Sequence, residues 1–171
     1  MLRAPSRGPI FPPNPEPTAG LFATFRSAAG EEAVLENNVF VEQLLIGGLD
    51  NYLSEVDKME YRRPYLEPGE SRRPTLTWPR ELPMAGEPAD TTALVRSYTE
   101  WLASDTDIPK LFVRANPGAI LSTSSSDQNL LEYVRSFNNQ EEVMVYGSHY
   151  VQEVSPHAIG RALATWIAQL G

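Results

Sequence analysis

Apolar residues recur at helical spacing in two well-separated parts of the chain. Leu94, Val95, Tyr98, Trp101 and Leu102 share one face of a helix expected over residues 89–104. Ile159, Leu163, Trp166, Ile167 and Leu170 do the same for a helix that ends the chain, opened by Ser155 as N-cap and Pro156 at the first helical position. Between these helices the pattern changes. Residues 110–114 and 142–146 are short apolar runs with β-branched and aromatic content, which reads as buried strand, and residues 127–137 between them read as helix. Strand, helix, strand, helix argues for parallel strands with right-handed crossovers, hence an α/β sheet. Two strands leave open edges and little surface for two amphipathic helices, so the arrangement asks for partner strands that this sequence lacks.

Upstream, helices broken by proline and glycine are expected over residues 21–29, 31–45 and 54–63. The third starts with Ser54 and Asp57 in capping-box spacing and is expected to stop before Pro64. Residues 1–19 hold Pro5, Pro9, Pro12, Pro13, Pro15 and Pro17, whose fixed φ and missing donors exclude regular ladders, so this stretch reads as a connector.

Composition narrows the function class. A chain of 171 residues with 42% hydrophobic content suits one domain or one incomplete domain. The net charge of -8 disfavours nucleic acid and anionic membrane as partners and leaves a small neutral substrate compatible. The absence of cysteine removes disulfides, thiolate metal sites and cysteine nucleophiles. No apolar stretch reaches about 18 residues, so a soluble, cytoplasmic protein is expected.

The candidate chemistry centres on His149, in the segment Gly147, Ser148, His149, Tyr150 between the second strand and the last helices. A histidine on such a loop can present to a cleft an imidazole whose near-neutral pKa suits proton transfer. His157, in the first turn of the last helix, reads as solvated. Asp127 and Glu153 are the nearest acids that could orient His149, but both fit better as charges at helix N-termini. No glycine-flanked nucleophile elbow, histidine-glycine oxyanion loop, glycine-rich phosphate cradle or metal-spaced histidine pair accompanies His149.

Residues 61–65 (YRRPY) and 68–83 (PGESRRPTLTWPRELP) closely resemble the cap domain of haloalkane dehalogenases. The resemblance continues through Gly86, Glu87, Pro88, Ala89 and Asp90, then Pro109, Lys110, Leu111 and Phe112, then Asn116, Pro117 and Gly118, and reaches the segment from Gly147 to Glu153, similar to that family's catalytic-histidine loop. It covers residues 20–171. The coelenterazine luciferases, oxygenases on the same scaffold, share residues 72–83, so that stretch alone does not separate the two.

The resemblance implies a partial α/β-hydrolase fold: a helical cap over residues 20–88, and over residues 89–171 the C-terminal part of the core, with the last two parallel strands and their helices. It also implies hydrolysis of carbon–halogen bonds. An aspartate attacks the halogen-bearing carbon, an ester forms, halide leaves, and His149 activates the water that hydrolyses the ester. The places of the nucleophile, the halide-stabilising side chains, the oxyanion loop and the acid that orients the histidine all fall before residue 1. The alternative acid position falls near Gly118, which has no side chain to serve, and the chain reads as a fragment. Trp78, Pro79 and Leu82 match positions lining the family's pocket, and Phe40, Ala119, Ile120 and Tyr150 match positions along its access tunnel. The implied partners are a small apolar halogenated substrate, water and the halide product, with no cofactor and no metal. Arg72 and Arg73 read as surface ion pairing. A luciferase-like oxygenase, or a non-catalytic module whose open sheet edge takes partner strands, are the other readings.

Overall fold

The computed structural model describes residues 16–49, 51–104, 107–119 and 128–171. A helical layer comes first: α1 (Glu16–Arg26), α2 (Ala29–Glu31), two π-helical segments (Glu32–Glu36 and Phe40–Ile46), α3 (Gly47–Leu49), α4 (Glu55–Arg62) and α5 (Arg73–Arg80). The long helix α6 (Ala89–Ser104) leads to β1 (Lys110–Pro117), α7 (Gln128–Arg135), β2 (Gln140–Gly147), α8 (Val151–Val154) and α9 (Pro156–Gln169).

The helical layer closes around its own core. Phe22, Phe25, Val34, Leu35 and Leu76 form a buried cluster, against which Phe40 and Leu82 pack from the side. Its rings continue outward in edge and tilted contacts, Phe25 to Phe40 at 6.1 Å and Phe40 to Trp78 at 6.0 Å between centroids. The helix expected over residues 31–45 is not continuous. Asn38 takes a left-handed φ of 52°, a conformation asparagine tolerates better than most residues, and the flanking turns widen to π-helix. At α4 the capping box forms in both directions, Ser54 Oγ accepting from the Asp57 N–H at 3.2 Å and the Asp57 carboxylate from the Ser54 N–H at 3.1 Å. α4 ends at Arg62, and the chain tightens into a 3-10 turn that takes in Pro64.

Arg72 departs from the surface role expected of it. It is buried, and its guanidinium donates to the main-chain carbonyls of Tyr65, Leu35, Glu36 and Leu66, tying two turns to the π-helical segment. Arg73 does behave as a surface ion-pairing residue, bridging Glu70 and Glu31. The five donors of a guanidinium suit a task that would leave a lysine short of bonds.

β1 and β2 pair in parallel from Lys110 opposite Gln140 to Pro117 opposite Gly147, longer at both strands than the apolar runs alone indicate. The ladder extends through polar residues because backbone groups seek partners whatever their side chains. Leu111, Glu141 and Val143 share one sheet face with Arg161, Ala162, Thr165 and Trp166 of α9, leaving a gap of about 210 Å³ between them. Across the other face, Glu142 joins Arg114 of β1 at 2.7 Å and Arg135 of α7 at 2.6 Å. The two arginines hold its carboxyl down to a pKa of about 2.

The apolar face expected of α6 is only partly covered. Val95 is buried, whereas Leu94, Tyr98 and Trp101 are exposed. The periodicity is a helix seeking a partner surface that the described residues do not supply.

Candidate active site

β2 delivers His149. Gly147 ends the strand at a φ of 153°, and a Cβ there would lie 3.0 Å from the Val151 side chain, so the turn toward His149 needs glycine. Ser155 sits at the N-cap position of α9, but its hydroxyl does not cap the helix. It donates instead to the Tyr146 carbonyl at 2.6 Å, closing the strand–loop–helix connection from behind.

The His149 ring meets the Tyr150 ring edge to face at 4.8 Å. One side of the residue is exposed, and the protein packed on the other pushes its imidazole pKa below the ordinary histidine value, because burial penalises the charged form. A neutral imidazole is the form that can accept a proton. Glu153 does not orient it: its carboxylate accepts the Tyr61 hydroxyl at 2.5 Å, which pushes the Tyr61 pKa up to about 12. Asp127 lies outside the described residues.

Tyr150 turns the other way, toward the helical layer. Its hydroxyl donates to the Leu44 carbonyl at 3.2 Å, and its ring lies so close to Gly48 that a Cβ there would come within 3.0 Å of it. Tyr150 therefore reaches the element that carries Phe40. Phe40 and Trp78 meet directly, Trp78 keeps 57% of its surface open, and Leu82 is half-buried beside them. Pro79 faces inward as a fully buried residue of α5. Ala119 is exposed just beyond β1, and Ile120 lies outside the described residues.

Two residues of this region escape sequence reasoning, Tyr61 and Gly48. Tyr61 belongs to the cap motif, but its bond to Glu153 leaves no trace in the pattern because the partner is 92 positions away. A larger cleft of about 530 Å³ lies elsewhere, among Arg26, Ser27, Ala28, Glu31, Arg80, Glu87 and Pro88. Arg26 and Arg80 are engaged there by main-chain carbonyls, and Arg80 also pairs with Glu31. Among the described residues no group of three or more histidine, aspartate or glutamate side chains is arranged to hold a metal ion. No helix among them is long and apolar enough to cross a membrane.

No family model matches the chain. Among curated proteins it is 49% identical over 156 residues to a haloalkane dehalogenase of Sphingobium indicum, covering 91% of this chain and 51% of that protein. The corresponding values for a haloalkane dehalogenase of Mycolicibacterium smegmatis are 47%, 91% and 49%. A coelenterazine h 2-monooxygenase of Renilla reniformis is 36% identical over 149 residues, 86% of this chain and 46% of that one. Among solved structures, an ancestral haloalkane dehalogenase superposes with a TM-score of 0.82 at 41% identity, over 94% of this chain and 54% of its own. A haloalkane dehalogenase from Bradyrhizobium elkani gives 0.81 at 39% identity, over 94% and 53%. The chain spans about half the length of the curated relatives it matches. Over nine-tenths of its own length this chain is thus related to the haloalkane dehalogenases, and its fold is part of the α/β-hydrolase fold.

Proposed function

We propose that this chain supplies the cap and the C-terminal core segment of a haloalkane dehalogenase-type hydrolase, with His149 as the general base. The observation that carries the reading is His149 itself: a partly desolvated imidazole held at the end of β2, in a chain 49% identical to a haloalkane dehalogenase. The reaction begins with attack by an aspartate on the halogen-bearing carbon. That bond forms as the carbon–halogen bond breaks and halide departs with the electron pair. Water then adds to the ester, its proton passing to neutral His149, and the alcohol is released.

In this reading Phe40, Trp78, Leu82 and Tyr150 line the apolar side of the route to the reacting carbon, with Ala119 also along it and Pro79 backing the wall from within α5. Apolar walls suit an uncharged halocarbon, whose burial contributes about 25 cal/mol per Å². No cofactor enters these steps. The cytoplasm is part of the same reading, supported by a net charge of -8 that offers anionic membranes no attraction, and cell fractionation checks it.

The test unites the full chain with the complementary half of the Sphingobium indicum relative and follows halide release from a short haloalkane. Turnover that stops in His149→Ala supports the proposal. Light from coelenterazine without halide release favours the oxygenase reading, for which the 36% identity to the Renilla reniformis protein is the ground.

A further inference from the structure

His149 has no hydrogen bond of its own among the described residues, and its ring contact is with its neighbour Tyr150. The position of the imidazole is therefore inherited from whatever holds the residues on either side. On the sheet side the loop is tied by Ser155 to the Tyr146 carbonyl and by the Gly118 N–H to the Gly147 carbonyl at 2.9 Å. Three hydrogen bonds reach across to the helical layer: Tyr146 at the end of β2 pairs with Tyr52, and beyond His149 Tyr61 of α4 donates to Glu153 at 2.5 Å and Tyr150 to the Leu44 carbonyl at 3.2 Å.

We propose that the Tyr61–Glu153 hydrogen bond latches the histidine loop to the helical layer, making Tyr61 a positioning residue for His149. Among these crossing bonds it is the charge-assisted one, a hydroxyl on a carboxylate, and so the strongest. With its pKa pushed up to about 12, Tyr61 stays protonated and remains the donor over the whole range in which His149 titrates. The latch also sets a geometric condition: α8 is a single turn, so releasing Glu153 leaves the segment after His149 tied to the helical layer through Tyr150 alone. The consequence for turnover rests on the reading of His149 as the base, but the latch does not.

The chain contains two histidines, so long-range proton–nitrogen spectra can titrate His149 with His157 as internal control. Tyr61→Phe keeps the ring and removes the donor. The expected result is a rise of the His149 pKa toward about 6.5 as the loop gains solvent, with His157 unmoved. Glu153→Ala is expected to do the same, which separates loop release from the attraction of an unpaired carboxylate. Glu153→Gln retains an accepting oxygen and is expected to restore the unaltered titration. An unchanged His149 in Tyr61→Phe, or a Glu153→Gln that behaves as Glu153→Ala, overturns the latch. Because the readout needs no turnover, failure of the latch and failure of the proposed hydrolysis are distinguishable.

Discussion

The helical layer and the sheet layer of this chain are built from similar apolar material and end in opposite states. Phe25, Val34, Leu49 and Leu76 of the helical layer are fully buried, whereas Met144 and Tyr146 of β2 and Ile167 of α9 each keep more than half of their surface exposed. The difference lies in what each layer is packed against. Helices can turn their apolar stripes toward one another, so a handful of short ones closes a core. A parallel sheet has two faces and two edges, and two strands with two helices cover neither fully. The relatives are about twice as long, which is where the remaining cover of that sheet is to be sought.

Removing buried volume from each layer in turn separates the two states. Leu76→Ala is expected to cost about 2–5 kcal/mol, while Ile167→Ala falls within about 0.5 kcal/mol, both read from urea unfolding midpoints. Equal costs would mean that the sheet layer is as tightly packed as the helices. Next in size is Arg72→Met, which removes the guanidinium from four carbonyls, of which Leu35 keeps the Gly69 N–H; the expected loss is about 3 kcal/mol by the same measurement, with Arg72→Lys recovering less than half. Ser54→Ala should cost about 1 kcal/mol through the lost cap, seen as a lower midpoint with an unchanged slope.

At the polar strap of the sheet the pairs are part-exposed, so solvent screening keeps the effect small and confines it to acid pH. The folded pKa of Glu142 lies near 2, below the ordinary carboxylate value of 4.5. Its contribution is therefore complete above about pH 4.5 and is lost as the pH falls toward 2. Glu142→Gln should flatten the stability curve in that window and lower the pH 7 plateau by the small contribution of the two ion pairs. A slope that persists in the variant would place the acid sensitivity elsewhere.

Much of this contrast is legible in the sequence because it rests on local chemistry. The capping box at Ser54, the proline that opens α9 and the two strands are written in neighbouring residues, and the strand–helix alternation states that the sheet is incomplete. What the sequence conceals depends on partners far away. Arg72 looks like the surface arginine beside it until the turns around Tyr65 and Leu35 close over it. Ser155 has the position of a cap but finds a better acceptor in a strand carbonyl. The helix expected over residues 31–45 breaks where Asn38 leaves the right-handed region, a choice that packing makes and periodicity does not show. For the candidate site, His149 and the Phe40–Trp78 pair are carried by motif resemblance, whereas the Tyr61–Glu153 bond emerges only from the folded geometry.

His149 is proposed to activate water and to take no part in the halide-releasing step, and a burst experiment separates the two roles. The chain united with the complementary half of a relative is mixed with excess haloalkane, once unaltered and once as His149→Gln. The unaltered protein should release halide continuously. The variant should release one halide per site and stop, with the alkyl group retained as an ester on the protein and detected by its added mass. Continued turnover in the variant, or a variant that releases no halide in the first turnover, would contradict the assignment of His149.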